Sequence, residues 1–318
     1  MSRVVARSVV AGVALVLLAG CGSSTPKAPP ATRNAPVTVG DGPVGVAAAP
    51  NGDVWVASAN ADTVSRIPAG TSKPDLSVDV KVPLRVAVAY GAVWVSSFDD
   101  GTLVRIDPAT GKVTDRIAIG KGAEGVTSAF GAIWAVAQDS GLLVRVDPTT
   151  QKAVRTIDVG TGIRLVKAGG NALYLNDFPA NALVRVDPTT GKVRRSARLC
   201  VGPQDMALVG STAWLTCSVS NELVSVDTTS LEVTGRLHLD GTPDAITAGP
   251  GALLVVLQQG PTLASIDPAS RKVTHSTELG KTQQLFDRAN LDLALTHRTV
   301  WVTSFSDGKV FRVPLKHG

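Results

Sequence analysis

AVWVSSFDDGTLVRIDPATGKVTDRIAIG, residues 92–120, contains most of one structural unit of this 318-residue chain. The runs VWVSS, LVRI and VTDRIAI read as three short β-strands, rich in β-branched and aromatic residues and bounded by Gly, Asp and Pro. Asp107-Pro108-Ala109-Thr110-Gly111 between the last two is turn chemistry. Asp opens the turn, Pro presets φ and Gly supplies a permissive backbone.

The same phrases return along the chain. VWVAS surrounds Trp55, VWVSS Trp94, IWAVA Trp134, LYLND Tyr174, AWLTC Trp214, LLVVL Leu254 and VWVTS Trp301, in steps of 39, 40, 40, 40, 40 and 47 residues. About ten residues after each comes VSRIP, VRIDP, VRVDP, VRVDP, VSVDT, ASIDP or FRVP. Leu183, Arg185 and Asp187 interleave with Val184 and Val186 in the two-residue period of a strand. A strand, turn, strand, polar loop, strand, turn, strand unit of about 40 residues is one propeller blade. The expected fold is therefore all-β: one seven-bladed β-propeller over residues 36–318, with four antiparallel strands per blade.

Ring closure is legible too. The seventh repeat runs only to FRVPL before Gly318, and Pro36 to Gly40 (PVTVG) matches the end of a fourth strand. Supplying that N-terminal strand to the last blade removes exposed sheet edges. The recurring Trp position is expected to fill the wedge between blades, with ligand stacking as the alternative. Asp107, Asp147, Asp187, Asp227 and Asp267 are expected to cap turns rather than act as catalytic carboxylates.

Residues 1–20 read as a signal peptide, with Arg3 and Arg7 ahead of an apolar run from Val9 to Leu18 that is short for a membrane span. LAGC follows it and resembles the lipobox of bacterial lipoproteins, which makes Cys21 the lipidated residue; an ordinary secretory signal is the alternative. Both readings place the domain outside the cytoplasm. Residues 21–35, the lipidated Cys and a stretch rich in Ser, Pro, Ala and Thr, read as a disordered tether holding the domain at the membrane.

Composition narrows the function. Lys and Arg number 31 against 26 Asp and Glu, and the basic residues are scattered through the repeats, unlike the clustered face of a nucleic-acid binder. GDGPVG at 40–45 and GKGAEG at 120–125 match GxGxxG, yet each leads into a strand, with no helix N-terminus for phosphate. GxSxG and Cys/His zinc spacings are absent from the sequence.

GPVGVAAAPNGDVWVAS (42–58) followed by NADTVSRI resembles the YVTN or YncE-like propeller repeats and the streptogramin (virginiamycin B) lyase family. The resemblance runs through all seven repeats and implies the propeller fold. The lyase likeness further implies a metal-assisted enzyme with a histidine and glutamates at the channel mouth. By repeat phase none of His238, His275, His297 and His317 falls there, which argues against lyase chemistry.

In a propeller the loops entering the first strand and those joining the second to the third gather at one end of the channel. The position nine residues before each Trp-equivalent, with the one preceding it, contributes Arg85, Glu124, Arg164, Asp205, Asp244 and Asp292, with Gln204 among neutral neighbours. Two arginines and four carboxylates could bind a small polar ligand. Asp205, Asp244, Asp292 and Glu124 could alternatively hold a divalent cation, or the ring is a solvated, mutually paired lining. Apart from that cation no cofactor is expected.

The long last step places its seven extra residues within Lys281 to Asn290, where Phe286, Asp287 and Arg288 would form a lid or partner contact, or a plain surface insertion. Cys200 and Cys217 are expected at the ends of a fourth strand and of the next second strand, as a disulfide or as two separate thiols. The functional expectation is a monomeric, non-catalytic binding or interaction module, contacting the membrane through its lipid and an envelope protein or small polar ligand through the propeller. A metal-dependent lyase or hydrolase is the alternative.

Overall fold

The computed structural model describes residues 35–280, 291–297 and 299–315. Among these the chain forms seven four-stranded sheets, and the only helical element is a single 3-10 turn, Phe305–Asp307. The third blade shows the pattern, with strands Ala123–Ala129, Ala132–Ala137, Leu142–Asp147 and Lys152–Asp158 paired antiparallel in chain order. First strands of neighbouring blades lie against one another, so they form the inner ring.

Local chemistry sets the turns. Between first and second strands, Tyr90-Gly91 and Phe130-Gly131 have positive φ at both residues, the mirror-image turn that suits strand twist. Between third and fourth strands the aspartates cap as expected. Oδ1 of Asp147 accepts the amides of Thr149 and Thr150 at 2.8 and 3.0 Å, and Asp107, Asp187 and Asp227 repeat that arrangement. Asp267 accepts from the Ala269 amide and the Ser270 hydroxyl.

Burial between blades supplies the core. Trp94 packs with Ile133, Ala135, Val144 and Val146 of the next blade, and Trp134 with Leu173, Leu175, Val184 and Val186 of the one after. Each ring therefore fills the wedge against its successor. The indole Nε1 groups of these two residues donate to Ala89 and Ala129 carbonyls, which satisfies a polar atom otherwise costly to bury. Trp301 of the seventh blade packs on Val46, Val54, Val56 and Ile67 of the first, closing the circle.

The closing sheet is built from Leu293–Leu295, Thr299–Ser304, Lys309–Pro314 and, from the other end of the domain, Val37–Thr38. Val37 pairs with Val310 and Thr38 with Lys309. Arg312 reinforces the junction, donating from Nε and Nη2 to the Ala35 carbonyl at 3.0 and 2.8 Å.

The fourth strand of blade four departs from the expected pattern. It spans only Val193–Arg195, so Cys200 lies beyond the strand rather than at its end, while Cys217 does end Thr212–Cys217. The Ser196 hydroxyl accepts the Leu183 amide in place of a ladder carbonyl, and the chain leaves the sheet. Cys200 and Cys217 are joined in a disulfide that ties this irregular segment to the fifth blade.

Candidate functional site

The inner strands of blades two to six carry mouth residues and share one irregularity near their start. Their pairing with the second strand slips between Pro83 and Val86, Ala123 and Val126, Ile163 and Val166, Pro203 and Asp205, and Pro243 and Ile246. Such a β-bulge leaves backbone groups outside the ladder that need other partners. Polar side chains two residues after the Trp position supply some. Ser96, Asn176, Thr216 and Thr303 accept the amides of Arg85, Leu165, Asp205 and Asp292 at 2.7–3.0 Å. Asn176 and Thr216 then donate to carbonyls of the next blade, at Gln204 and Asp244.

The mouth aspartates do the same work across blades. Oδ2 of Asp205 accepts the Ile246 amide at 3.1 Å, Oδ2 of Asp244 the Leu291 amide at 2.9 Å, and Oδ2 of Asp292 the Val46 amide at 3.1 Å. Each carboxylate thus fastens the inner strand of its own blade, or the segment entering it, to that of the next, at three successive boundaries. Glu124, 2 % exposed, instead receives Nε of Arg164 at 3.2 Å. Arg85 is 8 % exposed, and its Nη1 donates to the carbonyls of Val44 and Leu84 at 2.9 and 3.0 Å.

Burial governs the electrostatics. Asp244 is 1 % exposed, and desolvation pushes its carboxyl up to about 6, against the opposing pull of the Leu291 amide, Gln258, Arg85 and Arg164. Its Oδ1 is buried with no hydrogen-bond partner, while Gln258 Nε2 reaches Oδ2 at 3.3 Å. Burial also raises Asp292, opposed chiefly by the fields of Arg85 and Lys167. These mutual fields show Arg85, Arg164, Asp205, Asp244 and Asp292 gathered in one region.

Lys167 escapes the sequence reading, yet its Nζ lies 3.5 Å from Oδ1 of Asp205. It stands seven residues before Tyr174, where the other repeats have Ala48, Ala87, Thr127, Ala207, Thr247 and Ala294, so it was visible as the one charge among small residues. The second-strand hydroxyls and amide were visible the same way, as polar positions inside apolar strands. Gln258 carried no repeat signal.

His238 and His275 lie exposed on the outer strands Val233–His238 and Lys272–Glu278, and His297 is exposed after Leu293–Leu295. Among the described residues no three His, Cys, Asp or Glu side chains group closely enough to hold a metal ion. Cys21, His317, Phe286, Asp287 and Arg288 lie outside the described residues.

The third glycine of each GxGxxG stretch has a packing reason. A Cβ on Gly45 would collide with the Leu84 carbonyl, and one on Gly125 would sit 2.6 Å from that of Arg164. Both glycines let adjacent inner strands approach closely, and neither opens a helix.

No protein-family model and no curated protein matches the sequence. Solved structures do match the fold. Virginiamycin B lyase from Staphylococcus aureus is 16 % identical, with a TM-score of 0.75 over 89 % of this chain and 99 % of that one. Hydrazine synthase of Kuenenia stuttgartiensis is 14 % identical, with a TM-score of 0.74 over 87 % and 97 %. BamB from Moraxella catarrhalis is 16 % identical, with a TM-score of 0.61 over 87 % and 84 %. At such identities the likeness establishes the seven-bladed propeller and nothing of the chemistry.

Proposed function

We propose that this chain is a lipoprotein, anchored through Cys21 outside the cytoplasm, whose YVTN or YncE-like propeller is a non-catalytic binding or protein-interaction module of the cell envelope. The anchor and location are supported by the charged start, the short apolar run and LAGC. The family assignment rests on the repeat phrases.

The observation that carries the binding reading is how the mouth carboxylates are used. Asp205, Asp244 and Asp292 each accept an amide of the following blade, and Glu124 is paired with Arg164. Groups committed to holding blades together supply no matched acid and base for turnover. The loops at this end remain as a recognition surface, the usual use of loops on a rigid scaffold.

The test is a thermal-shift titration of the full-length protein in detergent with Mg²⁺, Ca²⁺, Mn²⁺ and Zn²⁺. The expected result is no saturable rise in midpoint. A saturable rise would turn the reading to a metal-dependent lyase or hydrolase, because only a ligand preferring the native state stabilises it. For the anchor, Cys21→Ser should abolish palmitate labelling and release the protein from the membrane fraction; retained labelling would sink that part.

A further inference from the structure

Two opposite charges at the channel mouth are left without an ion-pair partner among the described residues. Arg85 uses Nη1 on the Val44 and Leu84 carbonyls, and among the described residues no hydrogen bond is made by its Nε or Nη2. Those two atoms form the side-on edge of the guanidinium, whose parallel N–H bonds grip a carboxylate in bidentate fashion. Asp292 accepts the Val46 amide on Oδ2 and the Leu293 amide on Oδ1, at 3.1 and 2.8 Å, and among the described residues no lysine or arginine comes within ion-pair distance.

Both side chains hold the same strand. Arg85 reaches the carbonyl of Val44 and Asp292 the amide of Val46, both on Pro43–Ala48, the inner strand of blade one. They therefore flank the blade-one sector of the mouth from blades two and seven. That sector has Gly45 and Val46 where other blades place charges. The two groups feel one another's field without joining in a salt bridge.

The remaining charges narrow the occupant. Lys167 faces Asp205 and Arg164 faces Glu124, which leaves both cations spoken for, while Asp244 is sealed in the wall with Oδ1 inaccessible. A plain anion would meet Arg85 but also Asp292, which has no ion-pair partner among the described residues. A plain cation would meet the reverse, and a buried charge left unpaired is costly in either case. A ligand carrying both signs satisfies both groups at once.

We infer that the blade-one sector of the channel mouth binds a small zwitterion, its carboxylate on the Nε and Nη2 edge of Arg85 and its ammonium on Asp292. This rests on the reading of the mouth as a binding surface and names the ligand class.

The experiment uses glycine, diglycine, triglycine and tetraglycine, which keep the end groups fixed and lengthen the span between them. Each is titrated into the full-length protein without divalent cations, by thermal shift and calorimetry. One length is expected to raise the midpoint saturably. N-acetylation or C-terminal amidation of that peptide should each weaken binding about tenfold or more, as should Arg85→Lys, which keeps the charge but loses the fork. Asp292→Asn, which retains an amide acceptor for Val46, should do the same and serves if Arg85→Lys lowers the unliganded midpoint.

Absence of a rise with all four peptides overturns the inference. So does equal binding of the acetylated form, which would mark a plain anion site, or of the amidated form, which would mark a cation site. A peptide failure with no cation response leaves the binding-module reading standing, whereas a cation response strikes that reading itself.

Discussion

Aspartates at the outer turns and aspartates at the channel mouth are the same side chain under opposite physics. Asp147 and its repeats face solvent and accept neighbouring amides, which hold the carboxyl below its ordinary range. Asp244 and Asp292 lie in the wall of the channel, and burial pushes their carboxyls up despite the amides they accept. The turn set recurs at a fixed phase in blades two to six because each of these makes the same turn. The mouth set appears in only three blades, where a carboxylate bridges to the next blade; elsewhere the two mouth positions hold Gly45 and Val46, Leu84 and Arg85, Glu124 and Gly125, or Arg164 and Leu165. Repetition thus marks what builds a blade, and departure from repetition marks how blades are joined and what the channel presents.

The hardest test of that division is on the repeated layer. Trp134→Ala empties a fully buried wedge between blades three and four, and the expected cost is about 3 to 5 kcal/mol. A chemical-denaturation midpoint equal to wild type would break the claim that the repeat positions carry the packing. Next in size is an unrepeated feature, the disulfide between Cys200 and Cys217. Its separation of 17 residues corresponds to about 3 kcal/mol by loop-closure entropy. Unreduced, denatured protein should show neither thiol reactive, and reduction should lower the midpoint; two reactive thiols would remove the bridge.

The mouth aspartates supply a test with a sign. Because the folded carboxyl of Asp244 stands at about 6, above its unfolded value, folding favours the protonated form. That stability is fully present below the unfolded value and is lost as pH rises through about 6, by on the order of 2 to 3 kcal/mol. Asp244→Asn has no charge to develop, so its midpoint should fall less than wild type between pH 5 and 7.5. Parallel profiles for the two proteins would show that Asp244 is not desolvated.

How much of this the sequence revealed follows the same division. The blades, the Trp wedges and the turn aspartates were legible because each recurs, and several copies of a weak signal make a strong one. The strand borrowed from Pro36 to Gly40 was found by matching it to Asp158-Val159-Gly160 of another repeat. The mouth residues could be gathered by phase, but phase gives position and not partner. That Asp205 reaches the Ile246 amide depends on the bulge, which one-residue alternation does not encode. The early exit of blade four's outer strand turns on the Ser196 hydroxyl taking a ladder bond, a choice invisible in the residue type.

The smallest effect belongs to the turn aspartates, and it sharpens the comparison by running the other way in pH. The folded carboxyl of Asp147 is lowered by the amides of Thr150 and Thr149, so its contribution is present above the ordinary aspartate value of about 3.9 and lost as pH falls through the lowered one. Asp147→Ala should therefore reduce the midpoint slightly at pH 7, and the difference from wild type should shrink toward pH 2.5. Its neighbours in the repeat keep four other capped turns intact, so the fold survives and the shift is readable. If the Asp147 difference instead grew with acid, as a desolvated carboxyl would require, turn and mouth would obey the same rule. The separation of blade-building from blade-joining residues would then rest on geometry alone.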